Sequence, residues 1–213
     1  MAVDPNENYL ITGEQLEDLG SRVLSATSPI DSSRIDTTSL AVYEKIYTHT
    51  VSTNMTQKQT MVIPVDFEDY DKIIFDFVGT ATANSGWCSL WTTATGSGSH
   101  QETYQIGSEW SGNATITNIF RARPEIGAIY YDGIGSGIVS GGINATFTIP
   151  DATGYATFVT EAISGPNGGL YAQRLSGRMK TDQVQNIHYI HFELPAVAAG
   201  GEIRIYGIPK SSA

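Results

Sequence analysis

Four separate runs in this chain place large apolar side chains at every second position, and that period commits them to sheet. The last run is the most constraining. A Gly200-Gly201 turn feeds Glu202-Ile203-Arg204-Ile205-Tyr206-Gly207-Ile208-Pro209, with Ile203 and Ile205 on one face and Arg204 and Tyr206 on the other. The same alternation occurs at Ile73, Phe75 and Phe77, at Ile143, Ala145, Phe147 and Ile149, and at His188, Ile190, Phe192 and Leu194. Runs so far apart in sequence need one shared core made by strand pairing, so the chain from residue 42 onward is expected to be all-β. The fold is expected to close on a C-terminal strand rather than end in a tail.

Length and composition fit that reading. A chain of 213 residues can form one β-sandwich or barrel as a single domain. Twenty-two glycines and only 16% charged residues fit a turn-rich sandwich with a hydroxylated solvent face. Turn-like stretches at 66–71, 95–99, 108–113, 132–142, 164–169 and 198–201 leave room for roughly eight to ten strands, as sandwiches and jelly rolls require.

The first forty residues differ from the rest, with seven acidic residues against two arginines. Thr12-Gly13-Glu14-Gln15 has the form of a capping box, so a helix is expected to start there and to end before Ser28-Pro29. Leu16, Leu19, Val23 and Leu24 give it a narrow apolar stripe. A helix this short is marginal alone, so the stripe is expected to dock on the β domain, on another copy or on a larger assembly. Residues 28–39 read as a polar arm, which divides the chain into a docking segment, 1–39, and a sandwich domain, 40–213.

Several function classes find no support. The net charge of −10 disfavours a surface that tracks nucleic-acid phosphates. No apolar stretch approaches the roughly 18 residues of a membrane span, and the first ten residues lack the pattern of a secretory signal. A lone Cys88 allows no intrachain disulfide and, among apolar neighbours, reads as a buried thiol.

Nor does local chemistry converge. Four carboxylates within 66–71 are the hard oxygen ligands that Ca²⁺ takes, but their spacing is not that of an EF-hand loop, and a solvated turn is the plainer reading. His188 and His191 are three apart, which on a strand directs them to opposite faces, so no metal site is expected. There is no nucleophile elbow, and the glycine-rich 132–137 lacks the ending of a phosphate loop. Glu102, Glu109, Glu125, Asp132 and Glu161 supply carboxylates without a recognisable catalytic pair. No catalytic residue and no cofactor is implied.

The aromatic residues are more informative. Trp87, Ser89 and Trp91 fall on one strand face, opposite Cys88 and Leu90, and Trp110 and Tyr131 follow in glycine-rich surroundings. Flat aromatic faces beside hydroxyls suit a sugar ring or a protein partner, so Trp87, Trp91, Trp110 and Tyr131 are the candidate binding residues. A place in the core or a subunit interface is the alternative for Trp87 and Trp91.

A strand beginning Tyr70-Asp71-Lys72-Ile73-Ile74-Phe75-Asp76, the strand over 143–150, the run HYIHFEL over 188–194 and the closing Gly-Gly-x-Ile-x-Ile-Tyr-Gly-Ile together resemble the jelly-roll domain of tailed-bacteriophage virion proteins. The resemblance covers residues 42–209 and carries no catalytic motif. It implies an antiparallel jelly-roll β-sandwich preceded by a short helix and arm. It also implies a non-enzymatic structural protein made in the host cytoplasm and displayed on the virion as a decoration, fibre or tail-appendage subunit. Its partners would be other virion proteins through the N-terminal segment and copies of itself, a homotrimer in the expected form, with host-surface glycan as a further contact. A carbohydrate-binding receptor-recognition module is the alternative, and a glycan-degrading enzyme a third.

Overall fold

The computed structural model describes residues 43–96, 103–111, 115–123, 125–131, 140–150, 154–165, 171–180 and 186–210. The helix expected over 12–26 with Leu16, Leu19, Val23 and Leu24, the arm over 28–39 and the boundary after residue 39 lie outside the described residues, as does the glycine-rich 132–137.

Among the described residues the chain forms twelve strands: β1 (Glu44–Thr50), β2 (Gln59–Pro64), β3 (Tyr70–Thr80), β4 (Gly86–Thr93), β5 (Thr103–Ser111), β6 (Thr115–Arg123), β7 (Glu125–Tyr131), β8 (Ser140–Thr148), β9 (Thr157–Ser164), β10 (Tyr171–Met179), β11 (Tyr189–Leu194) and β12 (Glu202–Pro209). They build a two-sheet antiparallel sandwich. The large sheet has the order β1-β12-β3-β8-β9-β10-β5-β6 and the small sheet β2-β11-β4-β7. Four pairings are nested in sequence: β4 with β7 and β3 with β8 on the inside, β2 with β11 and β1 with β12 on the outside.

The alternating runs supply the core. Ile203 and Ile205, Ile73, Phe75 and Phe77, and Ile143, Ala145 and Phe147 are all buried, and they face Ile190, Phe192 and Leu194 of the small sheet. Phe192 bridges the layers, 5.2 Å from Phe75 and 4.9 Å from Phe77 between ring centres. Aromatic pairs at this spacing add stabilisation beyond the area they bury, about 1 kcal/mol each.

Four of the expected turns are shorter than the sequence implied. Residues 108–111 continue β5, 140–142 begin β8, Ser164 ends β9, and within 66–71 only Phe67–Asp69 forms a single 3-10 turn before Tyr70 opens β3. Phe67 is fully buried against Phe147, which explains why an acidic loop is held so tightly to the sheet. His188 precedes β11 instead of belonging to it, and its Nδ1 lies 2.6 Å from Asp66 Oδ1.

The strand count exceeds eight to ten because the far part of the large sheet turns polar side chains inward. Thr103 and Gln105 on β5, Thr160 and Ser164 on β9 and Gln173 on β10 are all buried, so polar residues interrupt the inward apolar series of Phe158 and Ala162 on β9 and of Tyr171 and Leu175 on β10. The two glutamines have a structural task. β7 is the edge of the small sheet and presents unpaired backbone groups to this region. Gln173 Oε1 accepts the N–H of Ala128 at 3.0 Å, and Gln105 Nε2 donates to the carbonyl of Glu125. At Gly127 the two layers approach closely enough that a Cβ would sit 2.4 Å from Thr160 Cγ2.

Candidate functional site

The large sheet exposes a face that its strand register organises into rows. One row crosses all eight strands as successive Cα partners: Thr48, Arg204, Asp76, Asn144, Glu161, Arg174, Ser108 and Asn118. Inward alternation of the apolar residues on β12, β3, β8 and β9 is what sends Arg204, Asp76, Asn144 and Glu161 outward. Two arginines and two carboxylates balance along the row, so it carries no net charge although the chain carries −10. Arg174 Nε and Glu161 Oε1 are 3.2 Å apart, both well exposed, and Arg204 pairs with Glu202 of the same strand. That contact lowers the Glu202 carboxyl below its ordinary pKa and raises the Arg204 guanidinium.

Aliphatic rows lie on both sides of the polar one. Val78, Gly142, Ile163 and Ala172 are register neighbours on one side, and Ile74, Thr146, Val159, Ser176 and Ile106 on the other. Val78 is 53% exposed, Ile163 52%, Val159 45% and Ile106 60%. A groove of about 1270 Å³ runs along the polar row and the Val78–Ile163 side of it, lined by Asp76, Val78, Asn144, Glu161, Ile163 and Arg174 among others. Four large aliphatic side chains exposed on one sheet face, around a fixed polar row, form the kind of patch that marks an interaction surface.

The outer face of the small sheet is chemically different. Cys88 and Leu90 point inward and are fully buried, which directs Trp87, Ser89 and Trp91 outward. Trp87 is 46% exposed and packs near-perpendicular to Tyr171, with ring centres 4.9 Å apart. Trp91 stacks on His191 at 5.3 Å and 19°, and Tyr189 approaches the same imidazole at 6.4 Å. Thr93 Oγ1 lies 2.8 Å from His191 Nε2 and 2.5 Å from the carbonyl of Thr95. The single hydroxyl hydrogen goes to that carbonyl, so the imidazole Nε2–H is the donor to Thr93.

The four aromatic residues singled out in the sequence therefore do not form one cluster. Trp87 and Trp91 share β4, and Tyr131 stands opposite Gly86 at the end of β7. Trp110 is on β5 in the other sheet, opposite Ala172 and Ile116. Lys58 and Glu193, which the sequence did not bring to notice, complete the surroundings of Trp87. Lys58 Nζ is 3.3 Å from Glu193 Oε1 and donates to the carbonyl of Trp87 at 3.2 Å. No sequence pattern links them, because they come together only through the pairing of β2, β11 and β4.

The remaining candidates separate. His188 and His191 take different partners, Asp66 and Thr93. Among the described residues no three His, Cys, Asp or Glu side chains converge in an arrangement that could hold a metal ion. Of the scattered glutamates, Glu161 lies on the outer row of the large sheet and Glu125 on β7 of the small one. Cys88 is fully buried, and desolvation pushes its thiol up to about 12. No helix among the described residues is long and apolar enough to cross a membrane. Comparison of the chain with protein-family models, with curated proteins and with solved structures gave no match.

Proposed function

We propose that this chain is a non-enzymatic structural subunit of a bacteriophage virion, built on a jelly roll and assembling with copies of itself through the outer face of the large sheet. The observation that carries the reading is the pair of aliphatic rows, with Val78 and Ile163 on one side and Val159 and Ile106 on the other, around a row of zero net charge. Copies of a chain with a charge of −10 repel one another, and they meet most easily where the surface is neutral and apolar. Aliphatic side chains in a sheet face suit a protein surface, whereas a sugar is better served by aromatic rings.

The nested pairing of strands supports the jelly-roll part. With β5–β6 and β9–β10 set aside, β1 to β4 pair in reverse order with β7, β8, β11 and β12, as a single long hairpin would when rolled into two sheets. The virion setting rests on the resemblance of the 70–76, 143–150, 188–194 and 200–208 segments, and the acidic 1–39 segment is assigned to docking on the particle.

Light scattering on the full chain tests the assembly. The wild type is expected to be a stable oligomer, a trimer in the proposed form, and Val78→Asp with Ile163→Asp to be a folded monomer. A wild-type monomer at high concentration, or variants of unchanged mass, would refute it. Removal of residues 1–39 is expected to abolish incorporation into particles, and full occupancy by the truncated protein would sink the docking role.

A further inference from the structure

The outer face of the small sheet holds a second arrangement, and its chemistry is not that of the aliphatic rows. Trp87, Lys58, Glu193 and Ser89 form one connected unit. The Trp87 carbonyl accepts from Lys58 Nζ at 3.2 Å, Lys58 Nζ pairs with Glu193 Oε1 at 3.3 Å, and Glu193 Oε2 accepts the backbone N–H of Ser89 at 3.2 Å. Each polar head is thus fixed by an anchor on β4, the strand that carries the indole. Two positions beyond Ser89, Trp91 lies on His191 in a stack whose imidazole is oriented by Thr93.

A half-exposed indole seated against Tyr171, with a carboxylate and an ammonium anchored to the backbone of the same strand, offers groups complementary to the two surfaces of a pyranose. The C–H face of such a ring packs on an indole, and its neighbouring hydroxyls donate to a carboxylate and accept from an ammonium. Groups already fixed by the protein lose little freedom on binding. The Lys58–Glu193 pair is neutral as a unit, and a chain of charge −10 repels anionic glycans. We propose that this face, centred on Trp87 and Glu193, binds a neutral oligosaccharide. The proposal rests on the reading above only in that self-association through the large sheet leaves the small-sheet face open.

The test titrates the full-length protein with soluble neutral oligosaccharides of glucose, galactose, mannose and N-acetylglucosamine, followed by tryptophan fluorescence and calorimetry. Light scattering and circular dichroism are recorded on every variant. At least one sugar series is expected to bind, with a loss of roughly tenfold or more for Trp87→Ala and for Glu193→Gln, and with most affinity kept by Trp87→Phe. The proposal is overturned if no series perturbs the protein, or if bound sugar is indifferent to both substitutions. It also falls if Trp87→Ala dissociates the oligomer, because a second copy would then cover the face. Dissociation by Val78→Asp with sugar binding retained separates the two readings, since self-association is then lost through the large sheet and recognition kept on the small one.

Discussion

Gln173 Oε1 accepts the backbone N–H of Ala128 across 3.0 Å, so a side chain of one sheet completes the hydrogen bonding of the other sheet's edge strand. An unpaired N–H at a buried edge costs the desolvation of that group, about 2 kcal/mol. Gln173→Leu keeps the volume and removes the acceptor, and its unfolding midpoint in urea should fall accordingly with the slope unchanged. A variant as stable as the wild type would show that the cap contributes nothing.

Gly127 and Gly86 should respond differently to alanine. A Cβ at Gly127 would meet Thr160 Cγ2 at 2.4 Å and Ile143 Cδ1 at 3.0 Å, so Gly127→Ala forces the layers apart at a cost of about 1–3 kcal/mol. At Gly86 there is open space but φ is +60°, and alanine there costs about 1 kcal/mol through backbone strain alone. Pairing Gly127→Ala with Thr160→Ser should recover part of the loss, while the same partner should not help Gly86→Ala. Thermal midpoints of the four proteins decide it.

Cys88 makes the fold sensitive to alkali. Its thiol has an ordinary pKa of 9.0, and burial raises it to about 12 in the folded protein. Between these values the unfolded chain gives up a proton that the folded chain keeps, so stability falls as pH rises through that window and is untouched by this group below it. The slope contributed is at most about 1.4 kcal/mol per pH unit. Tyr70 adds to the alkaline end, because burial and then its hydrogen bond with Glu44 raise it from 10.0 to about 12. Cys88→Ala should flatten stability against pH where the decline begins, whatever its effect on the level. In the native protein the thiol should resist alkylation at pH 8.

The Glu161–Arg174 pair should matter little to the stability of a single subunit. Both side chains are more than half exposed, and ion pairs in that setting contribute about 0–1 kcal/mol. Glu161→Ala and Arg174→Ala should unfold within about 0.5 kcal/mol of the wild type. If the large-sheet face is the self-association surface, the same substitutions should shift the dissociation concentration far more than the unfolding midpoint.

The central part of the sandwich was legible because burial and period coincide there. Ile73 to Phe77, Ile143 to Phe147 and Ile203 to Ile205 carry apolar side chains inward at every second residue, and the turn at Gly200, with φ +94°, is the one that the glycine pair announced. The far strands escaped because Thr103, Gln105, Thr160 and Gln173 face inward, Gln105 and Gln173 to bond the edge of β7, and polar inward residues weaken the signal. The outer row was illegible for a different reason. Asp76, Asn144, Glu161, Arg174 and Ser108 belong to five strands, and only register makes them neighbours. Around Trp87 the ring itself was recognised, but Lys58 and Glu193 are related to it by pairing across β2, β11 and β4, which no local spacing encodes.

The position of β12 between β1 and β3 sets a timetable for the nascent chain. Thr48 finds its partner strand only when Arg204 has been made, and Asp76 waits for the same residue. Throughout most of synthesis, therefore, β1 has no neighbour and β3 keeps one edge open. Pairings this distant in sequence form slowly, and open edges recruit strands from other chains. The pairings that close this side of the sheet are thus made last, and a pause in translation before β12 prolongs the interval in which β1 and the open edge of β3 are exposed to other copies.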